Sequence, residues 1–267
     1  MGLLRLCRVA GWAALTGAYL LGPRQGRYAT LNPGDQRWGP LPGHNLAIAT
    51  LGGMILWLGW FGFNAGSTMA ADPAAISRII LTTNIAAAAG AVGAAITSWV
   101  VFSRPDLSMI INGVLAGLVS ITAGCAFVSA GSAVAIGIVG GIIAVFAANL
   151  FNGLKIDDPV GALPVHLVGG IWGTLAVGLF SVGPGVNPWH VEGAGPALGV
   201  LLGGSPEQLW IQLAGIGIVS GFAVVTTFFA WSLIDLLFGL RVSAKAEQDG
   251  LDLSEHGIEA YPEFQQR

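Results

Sequence analysis

His166 is the histidine best placed for chemistry, because it lies inside a long apolar segment whereas His44, His190 and His256 lie in more polar stretches. An ionisable side chain in the middle of a membrane span is costly, and such groups usually face a pathway or a cavity. We therefore predict that His166 lines a pore. A histidine bonded to a neighbouring backbone carbonyl is the structural alternative. A b-type haem is the competing cofactor interpretation, and it would need a second histidine at the same depth.

A second segment that could do chemistry is the run Trp-Leu-Gly-Trp-Phe-Gly-Phe-Asn-Ala-Gly-Ser at residues 57–67. An aromatic belt at the membrane interface would explain such a run, but Trp57 and Trp60 lie well inside the predicted span. Aromatic faces can also hold a small cation. The functional interpretation has Phe63 closing a narrow pore and Ser67 offering a hydroxyl acceptor at its outer mouth.

Other polar residues within or beside apolar segments favour structural roles. Asn84, Asn112 and Thr122 are predicted to form hydrogen bonds between helices, as polar residues in membrane helices commonly do. Asp157 and Asp158 stand just before a proline, where carboxylates suit the start of a helix and its dipole. We predict that both aspartates are structural caps.

Composition excludes several classes of function. The net charge is −3, and no cluster of lysines and arginines suggests nucleic-acid binding. Cys7 and Cys125 have neither the spacing nor the neighbours of a zinc site or a disulfide framework. The sequence also shows no nucleophile beside a base and no phosphate-binding loop. We therefore predict that the chain is not an enzyme and that it uses no metal and no cofactor.

The elements that must position these residues are membrane-spanning helices. Hydrophobic residues make up 54% of the chain and charged residues 9%, with a mean hydropathy of +0.73. A spanning helix needs about 20 mostly apolar residues, and lipid requires every backbone amide to be satisfied within its segment. The 41 glycines predict closely packed helices. We expect an all-α, polytopic bundle with full spans near 45–69, 76–102, 108–127, 131–152, 160–182 and 208–240, and a shorter run at 9–22 that resembles the end of a helix.

Basic residues predict the orientation, since short cytoplasmic loops collect lysine and arginine. Alternate loops hold Arg24, Arg27, Arg37, Arg104, Lys155, Arg241, Lys245 and Arg267, whereas Arg78 is alone on the opposite side. The first set, and with it the tail from Ser243, should be cytoplasmic. Arg5 and Arg8 do not fit this pattern, and with the apolar run that follows them they imitate a signal peptide.

Five motifs in order resemble the ammonium transporter family, in particular its cyanobacterial and related bacterial branch. They occupy Gly59 to Ser67, Ala116 to Thr122, Asp157 to Pro159, Val165 to Gly170 and Gly250 to Gly257. The resemblance runs from about residue 11 to residue 262. It implies an eleven-span fold in the plasma membrane, a homotrimer with one narrow pore per subunit, and a cytoplasmic tail that can dock PII-type signalling proteins.

The resemblance also implies roles for individual residues. Phe63 matches a gating phenylalanine, Ser67 the outer serine that recruits ammonium, and His166 the second of two hydrogen-bonded pore histidines. The positions that match pore-lining residues are Leu56, Thr122 and Ala162. The implied mechanism is recruitment of ammonium, loss of its proton, and passage of neutral ammonia. A dry apolar pore opposes a bare cation, and potassium has no proton to lose.

The chain departs from the family pattern at its amino terminus. Cys7 stands where the first pore histidine is expected, and residues 1–10 are divergent. We expect a partial transmembrane domain over 11–242, lacking the first four to five helices of the family fold, and a cytoplasmic tail over 243–267. The alternative function is therefore a non-conducting truncated member that acts as an ammonium sensor or an assembly partner. A third interpretation is a product that does not fold alone.

Overall fold

The computed structural model describes residues 3–28, 43–183 and 195–262, with side chains from Val9 onward. The helices in chain order are α1 Leu3–Leu21, α2 Leu46–Ala65, α3 Pro73–Phe102, α4 Leu107–Thr122, α5 Ala130–Gly153, α6 Gly169–Phe180, α7 Glu207–Phe238, α8 Ala244–Asp249 and α9 Leu251–His256. Short 3-10 turns follow at Gly66–Thr68 and Val200–Leu202, and a π-helical turn at Leu163–Val168 leads into α6. The predicted all-α bundle is confirmed.

Five segments are long and apolar enough to cross a membrane, namely 46–68, 73–102, 130–153, 163–180 and 207–238. The predicted boundaries of these five lie within three residues of the observed ones. The sixth predicted span, 108–127, is instead a helix of 16 residues that ends at Thr122. It ends there because the chain turns at Gly124, whose amide bonds to the Ile121 carbonyl, and the Cys125 carbonyl accepts a 2.7 Å hydrogen bond from Thr82 on α3.

Helix α1 begins earlier than predicted, at Leu3 rather than near residue 9. It packs along α7 through polar contacts: the Trp12 indole donates a 2.7 Å hydrogen bond to Ser220, and the Thr16 and Thr227 hydroxyls are 2.8 Å apart. Hydrogen bonds of this kind join helices in lipid. The side chains of Arg5, Cys7 and Arg8 lie outside the described residues, so the expectations about them stay predictions.

Glycines allow α3, α4 and α5 to form the tightly packed centre of the bundle. A Cβ atom at Gly117 on α4 or at Gly137 on α5 would overlap the backbone of Ala86 on α3. One at Gly141 would likewise overlap the carbonyl of Gly90. The close packing predicted from the glycine content is therefore present at these contacts between α3, α4 and α5.

The described part of the tail lies against one end of the bundle. Glu247 on α8 accepts hydrogen bonds of 2.8 Å from Arg241 and from the backbone amide of Gln25. Farther along, the Tyr261 hydroxyl lies 2.7 Å from a ring nitrogen of His44, just before α2. The tail thus joins the connection after α1 to the end of α7.

Basic residues gather at this same end of the bundle. Arg24 and Arg27 bond to Asp157 just after α5, and Arg241 reaches the carbonyl of Leu21. Arg78 lies at the opposite end, where it donates to the Val128 carbonyl. The described chain therefore has the charge asymmetry between its two ends that the loops predicted, whereas Arg37, His190 and Arg267 lie outside the described residues.

Candidate functional site

His166 is carried by the wide π-helical turn at Leu163–Val168. The turn contains Pro164, which has no amide hydrogen, and it follows Gly161, whose φ of +78° favours glycine. Single π turns inside helices are frequently found at functional sites. Leu163, Val165 and Leu167 are buried, whereas His166 is partly exposed. The histidine is therefore the one polar side chain among the two partly exposed residues of this turn, Val168 being the other.

Asp158 holds the start of this segment. Its carboxylate accepts three backbone hydrogen bonds, from Gly161 at 3.0 Å, Ala162 at 3.0 Å and Leu163 at 2.7 Å. These are the amides that lack partners at the beginning of a helix. The contacts are those of the cap expected for Asp158, and they fix the end of the segment on which His166 stands.

Asp157 has different partners from those of a cap. Its two oxygens accept hydrogen bonds from Arg24 at 2.7 and 2.8 Å, and Arg27 adds a contact of 3.3 Å. The Arg24 hydrogen bonds lower the pKa of Asp157, which lies outside the spans, to about 2. The expectation of a cap at Asp157 is thus corrected: a forked arginine pair outcompetes the helix amides, because it satisfies both carboxylate oxygens with charged donors.

Trp60 contacts three of the six residues predicted for the pore. Its ring lies nearly parallel to the His166 ring, with centroids 6.5 Å apart and an interplanar angle of 21°, and its centroid lies 5.3 Å from that of the Phe63 ring. Its indole nitrogen donates a 2.9 Å hydrogen bond to the Thr122 hydroxyl. The structure thus brings Phe63, Thr122 and His166 together around one tryptophan.

The other predicted site residues lie around this group. Ser67 is partly exposed one turn beyond Phe63, and its hydroxyl donates to the Phe63 carbonyl. Ala162 is partly exposed one turn before His166, and Leu56 is 51% exposed on α2. Among the described residues, no hydrogen bond joins Ser67, Leu56 or Ala162 to His166. The described arrangement is therefore a row of side chains leading from Ser67 and Phe63 toward His166.

Sequence reasoning missed Trp60 as the link between the predicted residues. A signal was present, because Trp60, Phe63 and Ser67 are spaced three and four apart and so share one helix face. Of the predicted interhelical hydrogen bonds, that of Thr122 is confirmed. Asn84 is exposed, and Asn112 is buried beside Gly161, where a Cβ would overlap the Asn112 amide.

The residues that contact Trp60 carry no charge. Among the described residues, the ionisable groups around Asp157 lie at one end of the bundle, and Arg78 lies at the other. The side chains that contact Trp60 are aromatic or neutral, and its wider apolar cluster includes Leu118, Val119 and Val165. A small neutral molecule suits such surroundings better than a bare cation does.

Comparisons with known proteins agree with one another. The sequence model of the Ammonium Transporter Family matches residues 7–261. The chain is 42% identical over 256 residues to the ammonium transporter Amt2 of Archaeoglobus fulgidus, covering 96% of this chain and 53% of that protein. It is 38% identical to a putative ammonium transporter of Synechocystis, with the same shares covered.

Solved structures show the same likeness. A protein described as a sensor Amt protein superposes with a TM-score of 0.81 at 35% identity, covering 95% of this chain and 59% of that one. Mep2 of Saccharomyces cerevisiae superposes with a TM-score of 0.77 at 30% identity, covering 91% and 53%. The chain therefore spans about half the length of the curated relatives it matches.

Proposed function

Because this chain belongs to the ammonium transporter family, we propose that it moves ammonium or ammonia across a membrane along a path that passes His166. Family membership and the apolar helices make it a multi-pass membrane protein. The family consists of transporters, which confirms the prediction that the chain is not an enzyme.

The observation that carries the proposal is the position of His166. It is the partly exposed polar residue of a mostly buried turn, and Trp60 connects it to Phe63 at the next step along the row. An imidazole can donate or accept a hydrogen bond while neutral. It can therefore solvate a small polar molecule such as ammonia without adding a charge.

The mechanism that fits these surroundings separates the proton from the nitrogen. Ammonium arrives beside the Ser67 end, gives its proton to water there, and continues as ammonia past Phe63 to His166. The desolvation of a cation in an apolar passage is far more costly than that of a neutral amine. Ammonium can escape this cost by losing a proton, whereas an alkali cation cannot.

Sidedness follows from the charges. We place the end with Arg24, Arg27 and Arg241 in the cytoplasm of a cell whose plasma membrane holds the protein, since short cytoplasmic loops are enriched in basic residues. The tail would then be available to a PII-type signalling protein, and the assembly would be a homotrimer, as family resemblance implies. The supporting observation is the common end of the bundle that these residues share.

Uptake of methylammonium tests the proposal. Cells that lack their own ammonium carriers would express this chain, its His166→Ala variant, or an empty vector. His256→Ala provides a matched control, since it removes an imidazole from the exposed tail. We expect uptake above the vector for the chain and for His256→Ala, and a fall to the vector level for His166→Ala. Uptake that is equal to the vector, with the protein present in the membrane, contradicts the proposal.

A further inference from the structure

Trp60 touches two of the proposed pathway residues at once. Its indole is nearly parallel to the His166 ring, at 21°, and tilted by 54° against the Phe63 ring. It is 9% exposed and belongs to an apolar cluster between α2, α4 and the π-helical turn. Any rotation of the indole would therefore change its contact with both rings.

A hydrogen-bonded anchor prevents that rotation. The Trp60 indole donates to the Thr122 hydroxyl at 2.9 Å, and that hydroxyl donates in turn to the Leu118 carbonyl at 2.7 Å. Because the hydroxyl hydrogen is used by Leu118, an oxygen lone pair is directed toward the indole. The backbone of α4 thus sets the direction of the hydrogen bond between Trp60 and Thr122. That hydrogen bond in turn restrains the orientation of the indole.

We propose that Trp60 is a positioning residue that fixes the plane of the His166 imidazole, and that Thr122 acts through Trp60 by anchoring it. The inference rests on the proposed function for its importance in transport, because His166 and Phe63 are the proposed pathway. In this arrangement the Thr122 hydroxyl is occupied by two protein partners. Thr122 therefore contributes to the pathway by holding Trp60 in place.

Trp57 supplies an internal comparison on the same helix. Its indole nitrogen is also buried, but it has no hydrogen-bond partner in the described part of the chain. It packs against the same apolar cluster. Trp57→Phe thus removes an unanchored indole, whereas Trp60→Phe removes the anchored one.

Loss of the hydrogen bond between Trp60 and Thr122 should change the orientation of the His166 ring. Thr122→Val keeps the shape of the side chain and leaves the buried Trp60 N–H without an acceptor, which is unfavourable in an apolar site. The indole is then expected to turn away in search of a partner. Thr122→Ser keeps the hydroxyl and should preserve the original plane.

Nitrogen-15 NMR of the histidine-labelled full chain in lipid bilayers tests the proposal without requiring transport. The His166 signals are assigned by their disappearance in His166→Ala. We expect Thr122→Val and Trp60→Phe to shift or split these signals, and Thr122→Ser and Trp57→Phe to leave them as in the parent chain. The proposal is overturned if Thr122→Val and Trp60→Phe leave them unchanged, if Thr122→Ser fails to preserve them, or if Trp57→Phe moves them equally.

Uptake separates this inference from the proposed function. We expect Thr122→Val to lower methylammonium uptake several-fold, and Thr122→Ser to retain most of it. If the parent chain shows no uptake while the NMR signals respond as expected, the proposed function fails and the positioning role stands. Uptake that falls as far in Thr122→Ser as in Thr122→Val overturns the anchoring role of the Thr122 hydroxyl.

Discussion

Asp157 and Asp158 are consecutive in the chain, yet their carboxylates hold partners of opposite kinds. Asp158 binds the backbone amides of the segment that it begins, whereas Asp157 binds the side chain of Arg24, 133 residues earlier. One carboxylate thus fixes the start of the His166 segment from within. The other attaches that start to the connection after α1.

Loss of the Asp158 cap should destabilise the bundle. Asp158→Ala removes the acceptor for three backbone amides, so we expect the free energy of unfolding to fall by about 1–2 kcal/mol. Asp158→Asn keeps one oxygen acceptor and should lose less. Reversible unfolding in lipid or detergent would measure both variants, and a loss for Asn equal to that for Ala would contradict the cap as the source of the effect.

Acid should weaken the Asp157 contact. Its pKa is lowered from 3.8 to about 2 in the folded chain, so its contribution is complete above the unfolded pKa and is lost as pH falls from about 4 toward about 2. Arg24 is 40% exposed, and solvent screening reduces the expected contribution to about 1–2 kcal/mol.

The measurement for this prediction is the free energy of unfolding at pH 5 and at pH 2.5. The parent chain should lose more stability between these values than Asp157→Asn does. Arg24→Lys keeps the charge but loses the two-pronged contact, and it should show an intermediate loss. If the parent chain and Asp157→Asn lose the same unfolding free energy between these pH values, Asp157 is not a source of the acid sensitivity.

A methyl group at Gly117 should push α3 and α4 apart. The added Cβ would overlap the Ala86 backbone, which cannot yield as a flexible side chain could. We expect Gly117→Ala to cost about 1–3 kcal/mol of unfolding free energy. Gly217→Ala on α7 adds the same atom where no other heavy atom lies within 4 Å. Similar melting temperatures for the two variants would argue against close packing at Gly117.

Release of the tail should follow from loss of the Glu247 carboxylate. This group accepts bonds from Arg241 and from the Gln25 amide, and Glu247→Ala removes both. We expect trypsin to cut at Lys245 several-fold faster in Glu247→Ala. Glu255→Ala, on the exposed helix α9, is the control. Cleavage at the parent rate in Glu247→Ala would show that other contacts hold the tail.

Local patterns were sufficient to predict most of the helices. Length and hydropathy report directly on what lipid requires, and the observed boundaries of α3, α5 and α7 accordingly follow the apolar runs. The predicted end of α4 was wrong because residues 123–127 are as apolar as the helix before them. The contact of Thr82 with the Cys125 carbonyl joins residues 43 apart, so a local pattern could not show it.

The candidate site was predictable in its members but not in its connections. His166, Phe63 and Thr122 each stood out by residue type or by family resemblance. Their common neighbour Trp60 contacts two of them across different helices, and such contacts depend on how the helices are rotated. The Arg24 bond to Asp157 could not be predicted for the same reason. The local pattern of an aspartate close to a proline predicts a helix cap, and it contains no information about a partner far away in the chain.

The wide turn at Leu163–Val168 is a place where the chain can hold an extra residue without rotating the helix that follows it. The part before the turn is fixed by Asp158, and the part after it by Trp172, whose indole donates to the Ile136 carbonyl at 3.0 Å. In an ordinary α-helix, one residue more or fewer would rotate everything beyond it by about 100°. Here the extra residue is taken up within the turn itself. A single insertion or deletion at this point would therefore exchange the side chain that faces the candidate pathway while α6 keeps its neighbours.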